Sequence, residues 1–166
     1  MGEPLKILIW PHPMLKEVSK QVDDKPDQDF LNELYATMKK AGGIGLSAIQ
    51  VGIPLRIVIV DVGIGREVYV NPVITEFIGK KVPMNEGCLS VPGQFETIYR
   101  YPEVVVKYQL DTMESGLCHA TGLRAQCLQH ELEHLDGKIF VEHLKPADRS
   151  RIMGTILKLK KSGKIK

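Results

Sequence analysis

His130-Glu131-Leu132-Glu133-His134 sets two histidines four positions apart, with a glutamate directly after the first. On an α-helix, residues four apart lie one turn above the other on one face, so both imidazoles reach a single ion. Glu131 is too close along the chain to share that coordination comfortably, but it can reach a water on the same ion. The motif therefore offers two metal ligands and a general base. A hydrolytic metal site keeps one position open for water and takes three protein ligands. Downstream, Glu142 and His143 follow the strand-like "KIFV". Upstream, Cys88 follows a glycine in the short constrained loop "NEGCLSVPG". A thiolate from that loop would complete a Cys-His-His set.

These groups need elements to carry them. Residues 121–135 have helical spacing, with Leu123, Cys127, His130 and His134 on one face and Gly137 as the stop. "PDQDFLNELYATMKKAGG" reads as an amphipathic helix with Phe30, Leu31, Leu34 and Met38 on its stripe. "GIGLSAIQVGIP" reads as a glycine-punctuated loop and "LRIVIVDV" as a β-branched strand. "EVYVNPVIT" continues in strand character until Asn71-Pro72 breaks it. "VPMNEGCLSVPGQ", bounded by prolines, is expected as an extended loop or edge segment, and "ETIYR" and "EVVVKYQL" alternate like a pair of strands. "DTMESG" has turn chemistry. "KPADRSRIMGTILKLKK" predicts a docked C-terminal helix with Ile152, Ile156 and Leu159 on its stripe. The expected fold is α+β: one compact domain over residues 1–166, with mixed or antiparallel sheets around the motif-bearing helix.

Composition narrows the function classes. The chain has 166 residues, 43% apolar and 25% charged, which suits one soluble domain. It lacks a run of eighteen apolar residues and a secretory cleavage site, so no membrane association is expected. A net charge of +2 does not by itself imply nucleic acid. The odd count of three cysteines, Cys88, Cys118 and Cys127, favours free thiols in a reducing compartment. Cys118 and His119 are adjacent and point apart, so they do not make a second metal pair; His12 and His143 lack partners too.

Three short motifs in order carry a resemblance to the peptide deformylases: Gly43-Ile44-Gly45-Leu46-Ser47-Ala48-Ile49-Gln50, Glu86-Gly87-Cys88-Leu89-Ser90, and Gln129-His130-Glu131-Leu132-Glu133-His134. The opening "ILIWPHPMLKEVSKQV", the Asn71-Pro72 pair and "GKIF" are also similar to that family, so the likeness covers nearly the whole chain. The resemblance implies that Cys88, His130 and His134 hold one divalent ion, natively Fe2+, with Zn2+, Ni2+ or Co2+ able to occupy the site. It implies hydrolysis of N-formyl-methionyl nascent peptides to formate and a free α-amine. Glu131 then moves the proton, and the Gln50 amide and Leu89 backbone N–H serve the oxyanion. Gly43 and Gly45 let a peptide backbone approach. Glu86 orients a neighbouring group, and Arg100 stands near the peptide entrance. Ile44, Leu123 and Cys127 are candidates for the methionine pocket. Ser47, Glu133 and Gln126 depart from the family's usual alanine, aspartate and apolar pocket wall. The resemblance further implies a monomer in a bacterial cytoplasm, or a processed organellar protein. Lys158, Lys160 and Lys161 on the C-terminal helix would suit ribosomal RNA. The competing readings are a zinc peptidase using Glu142 or His143, and a catalytically silent homologue that binds peptides or the ribosome.

Overall fold

The computed structural model describes residues 3–166. Strands β1 (Gly45–Ser47), β2 (Ile57–Val60), β3 (Glu67–Ile78), β6 (Glu103–Gln109) and β7 (Ser115–Thr121) form a five-stranded sheet in the order β1-β2-β3-β6-β7. Strands β4 (Val82–Cys88) and β5 (Val91–Arg100) form a separate two-stranded sheet. Every ladder is antiparallel, one of the two forms expected from sequence, and the described residues add an isolated parallel bridge between Lys20 and Leu55. Helices α1 (Gln28–Lys40), α2 (Gly122–Leu135) and α3 (Pro146–Lys161) complete an α+β fold.

Strand β2 shows why the helices sit where they do. Its side chains alternate between faces. Val58 and Val60 join Leu128, Leu132 and Leu135 of α2, while Ile57 and Ile59 join Leu31, Leu34 and Met38 of α1. The sheet is thus covered on both faces. Each buried leucine contributes about 1.5–3 kcal/mol of transfer free energy, which holds α2 in place. A third cluster, with Trp10, Val91, Ile98, Phe140, Ile152 and Ile156, packs α3 and the β4–β5 ribbon together. Helix α2 is buried on nearly every side.

Several sequence expectations are corrected. Asn71-Pro72 does not end its strand: β3 runs through it with Asn71 at φ 49° and a register shift between Val70 and Val73. The Asn71 side chain holds this bulge by accepting from Val22 N (2.8 Å) and donating to Val22 O (2.8 Å) and Gln109 Oε1 (2.7 Å). The proline-bounded segment takes the edge form of its two expected readings, as the turn of the β4–β5 hairpin, but "ETIYR" pairs with β4 instead of with "EVVVKYQL", which joins β3 and β7. The glycine-punctuated loop contains strand β1 and a 3-10 turn over Ala48–Val51. "KIFV" ends in a 3-10 turn, Phe140–His143, in place of a strand.

Asp61, just after β2, locks α1 to the sheet. Its carboxylate accepts from Tyr35 Oη (2.7 Å), Gly63 N (2.9 Å) and Gly65 N (3.2 Å), with Lys39 Nζ at 3.5 Å. These bonds, led by the tyrosine, pull its pKa down to about 2. A depressed carboxylate stabilises the fold above its unfolded pKa and loses that contribution as pH falls from about 4 toward 2. Asp61→Asn is therefore expected to lower Tm at pH 7, with the gap to the parent chain closing by about pH 2. Paired thermal melts across that range check this.

Candidate metal centre

Three segments converge on the buried face of α2. The β4–β5 ribbon delivers Cys88 at its turn, the 3-10 turn after β1 delivers Gln50, and α2 itself delivers His130, Glu131 and His134. His134 Nε2 lies 3.2 Å from His130 Nε2 and 3.3 Å from Cys88 Sγ. One ligand atom from each of the three residues falls within 4.8 Å of the others. In a tetrahedral site with bonds of about 2.05 Å to nitrogen and 2.3 Å to sulfur, neighbouring ligand atoms stand about 3.4–3.6 Å apart. The observed spacings lie close to those edges, and both imidazoles are buried. The residues fit a shared divalent ion.

The surroundings orient the ligands. His130 Nδ1 donates to Glu86 Oε1 at 2.6 Å, which leaves Nε2 to face the other ligands. Arg100 grips Glu86 through Nε (3.0 Å) and a second nitrogen (2.5 Å), and reaches Glu133 at 2.6 and 3.2 Å. Burial works against a charge on Glu86, but the bonds from His130 and Arg100 outweigh it and hold the carboxyl at about 2. Burial pushes the His134 pKa well below the usual histidine value, keeping it neutral. At His130 burial also opposes charge, but the Cys88 sulfur and the Glu86 carboxylate overcome it and raise the pKa.

Arg100 does not stand at an entrance. It is 3% exposed and braces the ligand shell from behind, where Glu133 also binds His143 Nε2 (2.9 Å). The longer Glu133 side chain therefore spans Arg100 and His143 at once. That contact engages His143, and Glu142 is exposed; neither joins the Cys88-His130-His134 cluster.

Glu131 is buried beside the ligands. Its Oε2 has no hydrogen-bond partner among the described residues. Burial pushes its pKa up to about 7. A carboxyl near neutrality can both accept and release a proton at working pH. Ser47, the departure in the first motif, has a positioning effect. Its backbone N–H and hydroxyl both donate to Gln50 Oε1 at 3.0 Å. The amide nitrogen is thereby turned toward Ser90 Oγ (3.1 Å) and Cys88 Sγ (3.6 Å). The sequence reading did not single out Ser90. Nor did it give a role to Gln129, which clamps α2 to Tyr101 through both N and O (3.0 and 2.8 Å).

A cavity of about 520 Å³ opens beside the cluster. Its lining includes Gly43, Ile44, Gly45, Leu89, Leu123 and Cys127, all assigned from sequence. Leu123 is 52% exposed and Ile44 38%, so both belong to the cleft and not to the core. Cys127 is buried and its thiol is pushed up well above the usual value, which keeps it a neutral, apolar wall. Phe95, unnoticed in the sequence, lies 65% exposed at the rim over Gly87. Gly45 is required by space: a Cβ there would meet Cys127 Sγ at 2.5 Å and Glu131 Oε1 at 2.9 Å.

The arrangement matches known proteins closely. A family model described as polypeptide deformylase matches residues 4–150. A peptide deformylase of Hahella chejuensis is 42% identical over 153 residues, covering 89% of this chain and 91% of its own. The crystal structure of a peptide deformylase from Legionella pneumophila superposes with a TM-score of 0.92 at 35% identity, covering 98% of this chain and 99% of its own. That of the Ehrlichia chaffeensis peptide deformylase in complex with actinonin gives 0.91 at 31% identity, covering 94% and 97%. With its own sequence, fold and convergent ligand cluster all pointing the same way, the chain belongs to the polypeptide deformylase family.

Proposed function

We propose that the chain hydrolyses the N-formyl group from formyl-methionyl peptides, releasing formate and a free α-amine. The observation that carries this reading is the Cys88-His130-His134 cluster at the wall of an open cleft, with the unpartnered Glu131 carboxyl beside it. A divalent ion held by those three residues would supply an activated water and a Lewis acid for the formyl oxygen. Ferrous iron is the native ion in this reading, with Zn2+, Ni2+ or Co2+ as substitutes.

The chain's own groups do the rest. Glu131 accepts the proton of the attacking water and passes it to the departing amine nitrogen as the formyl C–N bond breaks. Gln50 Nε2 and the Leu89 backbone N–H receive the negative charge that develops on the formyl oxygen. Strand β1 is an edge strand, so an extended peptide can pair with it alongside Gly43 and Gly45. Ile44, Leu123 and Cys127 take the methionine side chain. Bacterial cytoplasm is the compartment this implies, with a monomer as the working unit. Helix α3 buries Ile152 and Ile156 in the core and leaves Lys158, Lys160 and Lys161 exposed, a surface suited to ribosomal RNA.

The test is formate release from formyl-Met-Ala-Ser by protein loaded anaerobically with Fe2+ or Ni2+. Turnover supports the reading; bound metal without turnover favours the silent peptide binder. Gly45→Ala tests the packing behind it: the added methyl displaces Glu131, and kcat is expected to fall about 10- to 100-fold with metal content retained.

A further inference from the structure

Helix α2 carries Gln126 and Cys127 one turn before His130 and Glu131, and both line the cleft. Helical side chains lean toward the N-terminus, so these two stand beside the part of the cleft to which the deformylase reading gives the first side chain of a bound peptide. Ile44, Leu123 and Cys127 give the cleft its apolar side chains, and Gln126 sets a primary amide in the same lining. Its orientation is fixed by its partners. Nε2 donates to the Asn85 carbonyl at 2.8 Å and stands 3.5 Å from Glu86 Oε2. Both partners are acceptors, so the nitrogen faces β4 and the oxygen faces away from it. Among the described residues none donates to Gln126 Oε1. Both Glu86 oxygens already accept from His130 or Arg100, so that carboxylate is committed to holding the cluster.

We infer that Gln126 is a specificity-determining residue whose side-chain oxygen accepts a hydrogen bond from the tip of a polar first side chain. The chain then takes formyl-glutaminyl peptides as well as formyl-methionyl ones. This rests on the deformylase reading and extends it to substrate class. Glutamine reaches the same length as methionine with an amide in place of the thioether. In a wholly apolar pocket that amide would give up its bonds to water and gain nothing. An acceptor already in position restores one bond, equivalent to a discrimination of about three- to tenfold.

The experiment measures kcat/KM for formyl-Met-Ala-Ser, formyl-Gln-Ala-Ser and formyl-norleucyl-Ala-Ser, with the parent chain, Gln126→Met and Gln126→Leu. Ratios taken within one preparation cancel differences in metal loading and folded fraction. Both variants are expected to raise the methionine-to-glutamine ratio about three- to tenfold. The methionine-to-norleucine ratio, which reports pocket shape alone, should stay in place. An unchanged methionine-to-glutamine ratio, or both ratios moving together, overturns the proposal. Failure of the metal-loaded parent chain to turn over formyl-Met-Ala-Ser would overturn the deformylase reading itself, and this inference with it.

Discussion

Glu131→Gln is expected to lower kcat for formyl-Met-Ala-Ser by about 10²- to 10⁴-fold, the usual range for loss of a positioned general base. The metal content should not change, because the atoms that would bind the ion belong to Cys88, His130 and His134. The substitution keeps shape and removes only proton transfer. KM should change little, since the carboxyl contributes to the reaction step more than to holding the peptide. Steady-state kinetics together with metal analysis on the same sample check this. Retained turnover would mean that another group carries the proton.

Cys88→Ala is expected to abolish both metal binding and formate release. The cluster then keeps two imidazoles and loses its only sulfur ligand, leaving fewer protein ligands than a hydrolytic site uses. The fold should survive, because Cys88 sits at the ribbon turn and only at the margin of the apolar cluster around Val91 and Phe140. Elemental analysis after anaerobic loading, with circular dichroism as the folding control, separates the two effects. Stoichiometric metal in this variant would return the third-ligand role to another residue.

The site was more legible in the sequence than the fold that builds it. The HExxH spacing is a local property of one helix, so periodicity alone places His130 and His134 on one face with Glu131 beside them. Cys88 could be reached only as one of several alternatives until the three ordered motifs were taken together. Long-range pairing was the harder matter. "ETIYR" and "EVVVKYQL" both alternate, but alternation states which side chains share a face and not which strand lies beside which. The Asn71-Pro72 pair looked like a strand end because proline removes a ladder donor. A bulge held by the Asn71 side chain absorbs that loss, and nothing local announces it. Arg100 was misplaced for a related reason. As a charged residue it reads as exposed, and its burial depends on two acids, Glu86 and Glu133, brought from separate segments.

The separate two-stranded ribbon has a thermodynamic consequence. An isolated pair of strands is marginal in water. Cys88 lies on this ribbon and both histidines lie on α2, so chelation would act as a cross-link between two pieces that otherwise share only side-chain contacts. Stripping the ion should therefore loosen β4–β5 before the main sheet, with amide protons of that ribbon exchanging first while those of β2 and β3 remain protected.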